Sequence, residues 1–190
     1  SGILDLIIAS SAEVYQTLSI IPTPEDIPLM LPNSDNPRYS YGGSKIASEL
    51  IAFNYAREHF RKMQVFRPHN IYGPDMGWKQ VVPQFIQKIQ KGEILNNDRV
   101  KLNIQGNGKE TRAFCYVDDE IDGLFKLLIS DYAYPINIGN PNEITILQFA
   151  EEIIKLTGTN QKIIYKPLPT DDPLQRQPDI TKAKEILNWE

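Results

Sequence analysis

Tyr41 and Lys45 stand four residues apart in the run Tyr41-Gly42-Gly43-Ser44-Lys45, a spacing that puts both side chains on one face of a helix. An ammonium beside a phenol favours its charged form and can pull a tyrosine's acidity down from about 10 towards neutrality. Upstream, Ser10 and Ser11 lead the run Ser10-Ser11-Ala12-Glu13-Val14-Tyr15, directly after the apolar stretch 3–9. A serine hydroxyl at a strand end could hold a substrate alcohol while the phenol removes its proton. The chemistry within reach of these side chains is oxidation of an alcohol, with hydride passing to a nicotinamide cofactor.

The elements that must position them follow from the pattern of the chain. Ile3 to Ala9 reads as a short, fully buried strand. Residues 20–40 are rich in Pro, Asn, Asp and Ser, and predict a long loop over the surface of the kind that is often functional. Ala47 and Ile51, with Ile46, Leu50 and Phe53, give helical spacing from about Tyr41 to His59. Gln64 to Phe66 reads as a second buried strand, ended by Pro68. Val82 to Lys91 predicts a helix stopped by Gly92. Lys101 to Gln105 and Arg112 to Val117 read as strands around a hairpin-like turn at Gly106-Asn107-Gly108. Asp118 or Asp119 is expected to cap a helix carrying Ile121, Leu124, Phe125 and Leu128. Pro135 to Ile138 reads as a strand, and Thr145 with Gln148 as a capping box for a helix closed by Gly158. Lys162 to Tyr165 reads as a last strand and Asp179 to Leu187 as a last helix. Alternating strands and helices imply an α/β fold with a largely parallel sheet.

Composition narrows the function classes. The chain has 190 residues, 41% hydrophobic and 23% charged, enough for a real core. A net charge of −4 with scattered basic residues gives no footprint for nucleic acid or an anionic membrane. A lone Cys115 excludes an internal disulfide and points to a reducing, cytoplasmic setting, with the thiol in a packing role. His59 and His69 are far apart, which argues against a metal site. No apolar run reaches the ~20 residues of a membrane span, and no signal peptide is visible.

Five motifs recur in one order: Ser-Ala-Glu-Val-Tyr (11–15), Tyr41 to Lys45, Arg67-Pro68-His69-Asn70-Ile71-Tyr72-Gly73-Pro74, Thr111 to Asp119, and Asp171-Asp172-Pro173 to Pro178-Asp179. In these the chain resembles the extended short-chain dehydrogenases/reductases, specifically the NAD-dependent sugar-nucleotide epimerases, dehydratases and decarboxylases. The resemblance runs from Leu6 to Trp189. It implies the second half of a Rossmann-type parallel sheet over residues 1–75, with 110–140 contributing. A smaller α/β domain over 76–109 and 141–190 would bind the nucleotide sugar.

Carried over residue by residue, the resemblance makes Tyr41 the base and Lys45 its partner, the latter also bonding the nicotinamide ribose. Ser11 would share the proton of the sugar's 4-hydroxyl, giving a 4-keto intermediate. Ser10, Pro68 and His69 would line the NAD site, His69 without a proton-transfer role. Asn70, Arg112 and Arg176 would hold the diphosphate, a task suited to guanidinium forks. Contacts with the nucleotide base would rely partly on backbone groups near Val82 and Ile104, and Val82 and Gln105 are the substrate-binding candidates there. The resemblance also implies a homodimer through the Tyr41 helix.

Residues 12 and 13 bear on the net reaction. A 4,6-dehydratase resembles Asp-Glu there, and Ala12 cannot serve as the acid. Ala12 fits a 4-epimerase, in which Glu13 is unusual. Glu13 fits a UDP-glucuronate decarboxylase, yet Gln80 stands where that group usually offers an arginine. This ranks 4-epimerisation first, then decarboxylation, then dehydration. The chain also lacks the family's Gly-x-x-Gly-x-x-Gly turn for the NAD pyrophosphate. The expectation is that the elements carrying that turn precede residue 1, and that this chain alone is inactive. The other reading is a truncated, non-catalytic sugar-nucleotide-binding relative.

Overall fold

The computed structural model describes residues 2–16, 20–90, 94–95, 99–158 and 161–190. In chain order the strands and α-helices are β1 (Asp5–Ala9), α1 (Ser40–His59), β2 (Lys62–Pro68), β3 (Ile71–Tyr72), α2 (Val81–Gln90), β4 (Ile94–Leu95), β5 (Arg99–Gln105), β6 (Thr111–Ala113), β7 (Cys115–Tyr116), α3 (Val117–Ile129), β8 (Pro135–Ile138), β9 (Glu143–Thr145), α4 (Ile146–Thr157), β10 (Gln161–Lys166) and α5 (Thr181–Leu187). They divide into two compact units. The first holds residues 1–71, 113–142 and 176–190, and the second holds 72–112 and 143–175. The stretch 176–190, grouped with the second unit by the sequence reading, therefore packs in the first.

In the first unit β1, β2 and β8 form a parallel sheet in the order β1-β2-β8. Side chains alternate across such a sheet, and the two faces bury different sets. Ile8, Met63 and Val65 meet Ala52, Phe53 and Ala56 of α1. Ile7, Phe66, Ile136 and Ile138 meet Leu127 of α3 and Ala183 and Leu187 of α5, with Cys115 and Trp189. Helices on both faces of a parallel sheet are the α/β arrangement that the alternating pattern implied. β1 is half-buried rather than fully buried, because it lies at one edge of this sheet. The surface loop expected over 20–40 also needs correcting: Thr23 and Glu25 are buried in it. The loop accepts bonds from the Asn137 Nδ2 (to the Thr23 carbonyl, 2.9 Å) and the Asn137 N–H (to Glu25 Oε1, 2.9 Å).

α3 starts at Val117 with Tyr116 as its uncapped N-cap residue. Asp118 and Asp119 sit in its first turn, where negative charge suits the helix dipole, instead of capping it. α5 starts at Thr181; Asp179 lies before it and accepts the Thr181 N–H at 2.8 Å.

The second unit is built on the sheet β10-β5-β4, with β10 parallel and β4 antiparallel to β5. Phe85 of α2 and Ala150 and Ile153 of α4 close a core over Leu102 and Ile104. The capping box of Thr145 and Gln148 is present, and Gly158 ends α4 in the left-handed region at φ 64°. The hairpin expected at 106–108 is absent, since β5 pairs with β4 and β10. Gly106 and Gly108 take φ of 81° and 83°, and the Glu110 carboxylate accepts the Asn107 and Gly108 N–H groups at 3.0 and 2.9 Å. That carboxylate closes a local loop where a hairpin would need strand pairing. The predicted end of the α2 helix at Lys91 and Gly92 lies outside the described residues.

Candidate active site

The C-terminal end of β1 and the first turns of α1 meet in the first unit. Ser11 caps a short 3-10 turn, Ala12–Tyr15, its Oγ accepting the Glu13 N–H at 3.1 Å. Gly42, one residue after Tyr41, lies directly against that turn. A Cβ there would sit 2.5 Å from the Glu13 carbonyl oxygen, so only glycine allows the approach. Lys45 Nζ lies 5.8 Å from the centre of the Tyr41 ring and donates to the Ala9 carbonyl at 2.9 Å. The Tyr41 side chain is exposed. The segments that carry Tyr41, Lys45 and Ser11 are thus joined through Gly42 and the Lys45–Ala9 bond.

Glu13 is half-buried and held by two guanidiniums. Arg176 forks onto it, Nη2 reaching Oε2 at 2.9 Å with Nη1 on Oε1, and Arg38 Nη1 reaches Oε2 at 3.4 Å. Arg176, expected at a diphosphate, is thereby placed in the first unit with a carboxylate partner. Ala12 is buried in an apolar cluster with Val14, Tyr15, Ile27, Leu29 and Ile46. Ser10 is also buried, its hydroxyl donated to Glu49.

Behind the strand end lies a polar network that the sequence reading did not find. The Arg67 guanidinium forks onto Glu49 at 2.9 and 2.7 Å and reaches the Tyr15 hydroxyl at 2.9 Å and the Glu25 carbonyl at 3.0 Å. Tyr15 donates to Asn137 Oδ1 at 2.7 Å, and His69 Nε2 lies 3.2 Å from the same oxygen. Since that oxygen accepts, His69 Nε2 is the donor and Nδ1 carries the lone pair. Nδ1 is buried without a partner among the described residues. Burial pushes the imidazole down to about 4, which leaves His69 neutral near pH 7. Burial likewise pushes the Tyr15 phenol well above its ordinary value, so Tyr15 is unsuited to act as a base. Charged residues on a helix and before a proline signal nothing by themselves, and β2 carries Lys62 and Gln64 besides Arg67, so the strand gave no sign of the network.

Pro68 and Asn70 flank His69 at the end of β2. Asn70 takes φ 40°, and its Nδ2 donates to the Ala113 carbonyl at 2.9 Å. The other expected substrate residues belong to the second unit. Val82 is half-buried in α2, and Gln105 is exposed at the end of β5. Arg112 donates to Asp172 at 2.9 Å and to the Thr111 carbonyl at 2.8 Å. Cys115 is buried, and burial pushes its thiol up to about 12, consistent with packing rather than reactivity. Among the described residues no helix is long and apolar enough to cross a membrane.

The sequence is 39% identical to UDP-glucuronic acid decarboxylase 5 of Arabidopsis thaliana over 187 residues, 97% of this chain and 52% of that protein. It is 37% identical to UDP-glucuronic acid decarboxylase 1 of Danio rerio over 187 residues, 97% of this chain and 43% of that protein. The chain therefore spans about half the length of the curated relatives it matches. Among solved structures, the UDP-glucose 4-epimerase of Thermotoga maritima with UDP-glucose superposes with a TM-score of 0.82 at 29% identity. That match covers 100% of this chain and 59% of the epimerase. Residues 1–139 match the NAD dependent epimerase/dehydratase family, and the chain belongs to that family.

Proposed function

We propose that the full gene product carrying this chain modifies a nucleoside-diphosphate sugar with NAD, through a 4-keto intermediate. The observation that carries this reading is the seating of the first turns of α1 on the Ser11 turn, through Gly42 and the Lys45–Ala9 bond. Tyr41 takes the proton of the sugar's 4-hydroxyl, and Ser11 holds that oxygen with a hydroxyl proton left over after accepting from Glu13. The donor set fits the nicotinamide end of the cofactor: Lys45 keeps two N–H groups beyond the one given to Ala9, beside an exposed Tyr41. Those two groups would hold a ribose. NAD, when bound, supplies the hydride acceptor for C4.

For the net reaction, decarboxylation of a UDP-uronic acid is the reading we place first. A ketone at C4 makes a C6 carboxylate a β-keto acid, so the C5–C6 bond breaks with its electron pair taken up by the C4 carbonyl. The relatives at 37–39% identity and Glu13 both support it, and together they move it ahead of 4-epimerisation, which Ala12 and the neutral Gln80 had placed first. The two guanidiniums around Glu13 bring positive charge to this turn. Epimerisation remains the second reading, supported by Ala12 and by the likeness to the Thermotoga maritima enzyme. Dehydration is disfavoured because position 12 faces an apolar cluster. Exposed Leu50, Ile51 and Tyr55 on α1 support pairing of two copies through that helix.

The test is proton NMR of the full gene product with NAD and either UDP-glucuronic acid or UDP-glucose. A UDP-pentose with release of carbon dioxide is the expected outcome. A C4 epimer in place of the pentose favours the second reading. No conversion across UDP-, dTDP-, GDP- and CDP-sugars would defeat both.

A further inference from the structure

We infer that Glu49, clamped by Arg67, is a positioning residue that fixes the axial register of α1 against the strand end carrying Ser11. Ser10, Glu49 and Arg67 then set the separation at which Tyr41 meets a substrate hydroxyl. The inference rests on the functional reading above, in which Tyr41 is the base.

Tyr41, Lys45 and Glu49 recur every four residues and form one stripe along α1. The stripe is tied step by step to the end of β1. Gly42 abuts the Glu13 carbonyl, Lys45 bonds the Ala9 carbonyl, and Glu49 Oε1 accepts the Ser10 hydroxyl. Arg67 comes from the neighbouring strand: Ala9 pairs with Phe66, and the Ser10 N–H donates to the Phe66 carbonyl at 2.9 Å. The guanidinium occupies both carboxylate oxygens of Glu49 and, from its other nitrogen, the Tyr15 hydroxyl and the Glu25 carbonyl. Side-chain exposure is 3% for Arg67 and 6% for Glu49.

A planar fork holding a carboxylate from two sides has little angular freedom, and in a dry environment few alternatives compete with it. Sliding α1 by one residue moves Tyr41 by about 1.5 Å and breaks the Gly42, Lys45 and Glu49 ties together. A displacement of about 1 Å at a reacting group can cost roughly 100-fold in rate. A pair that merely neutralises buried charge would lack the link to Ser10, and its replacement by apolar side chains would leave turnover intact.

The experiment compares Ser10→Ala and the double variant Glu49→Leu/Arg67→Met with wild type, each as the full gene product on the substrate that wild type converts. The readouts are kcat, KM, the primary isotope effect with C4-deuterated sugar nucleotide, and the thermal midpoint. Ser10→Ala removes the hydroxyl tie without stranding a buried charge, and so it reports even where the double variant fails to fold. Expected are a kcat loss of about 10-fold for Ser10→Ala and about 100-fold for the double variant, with KM within about threefold. The isotope effect should rise as hydride transfer becomes the slow step. A Ser10→Ala kcat within about twofold of wild type, or a kcat loss that tracks the thermal midpoint with an unchanged isotope effect, overturns the inference. Tyr41→Phe separates the two claims. Full turnover in that variant brings down the functional reading, whereas an inactive Tyr41→Phe beside a fully active Ser10→Ala brings down the positioning role alone.

Discussion

Glu49 and Glu120 are equally buried, each 4% exposed, on helices α1 and α3 that cover opposite faces of one sheet. Their surroundings could hardly differ more. Glu49 has a guanidinium on both oxygens and the Ser10 hydroxyl beside it. Neither oxygen of Glu120 has a hydrogen-bond partner among the described residues. Burial pushes its carboxyl up to about 8, and the Cys115 thiol, engaged with the Tyr116 carbonyl at 3.6 Å, opposes this only weakly. One face surrounds its carboxylate with donors; the other keeps its carboxyl buried by keeping the proton. Burial of a carboxylate therefore says little about function until its partners are named.

The largest test of that contrast is Arg67→Met alone, which strands Glu49 as an unpaired buried charge. The expected cost is about 3–5 kcal/mol in urea unfolding, with much of it recovered in Glu49→Leu/Arg67→Met. Equal losses in the single and double variants would show that packing, and not charge pairing, dominates this face.

Glu120→Leu probes the other face. The native carboxyl keeps its proton up to about pH 8, while the unfolded chain ionises near the ordinary glutamate value of 4.5. Between these values the native state holds the extra proton, so stability falls as pH rises, by roughly 1.4 kcal/mol per pH unit, and levels off above pH 8. The variant removes this slope. Its stability relative to wild type should climb by about 2–4 kcal/mol from pH 4.5 to pH 8, measured by unfolding at matched ionic strength. A pH-independent difference would show Glu120 to be solvated.

The smallest effect provides a baseline in the second unit. Thr145→Ala removes the capping box of α4 and should cost about 1 kcal/mol, a loss independent of pH from 5 to 8. A pH-dependent cost there would mean that the slope assigned to Glu120 has another source.

Local chemistry was legible in the chain and long-range chemistry was not. The Tyr41 helix and the Thr145–Gln148 cap are set by spacing over a few residues, and both were readable. Glu49 sits in the same helix, yet nothing near it in sequence shows that it is buried; its partner lies on β2, and Asn137 joins the network from β8. Arg176 could be assigned to a diphosphate on resemblance, but its fork onto Glu13 links residues 163 apart. The loop holding Thr23 and Glu25 looked like surface because its composition is polar, whereas it is drawn in by Asn137. The hairpin expectation at 106–108 failed for a related reason, since Glu110 satisfies the turn's N–H groups from the side chain.

The last tryptophan has a practical consequence. Trp189 is 3% exposed in the first unit, its Nε1 donating to the Asp119 carbonyl at 3.0 Å, whereas Trp78 in the second is 69% exposed. These are the two indoles of the chain, one for each unit. Their emission maxima should be well separated, blue for the shielded ring and red for the wet one. Trp78→Phe would then leave a single indole, excited at the red edge where tyrosine does not absorb, that follows the melting of the sheet and its helices with no label attached.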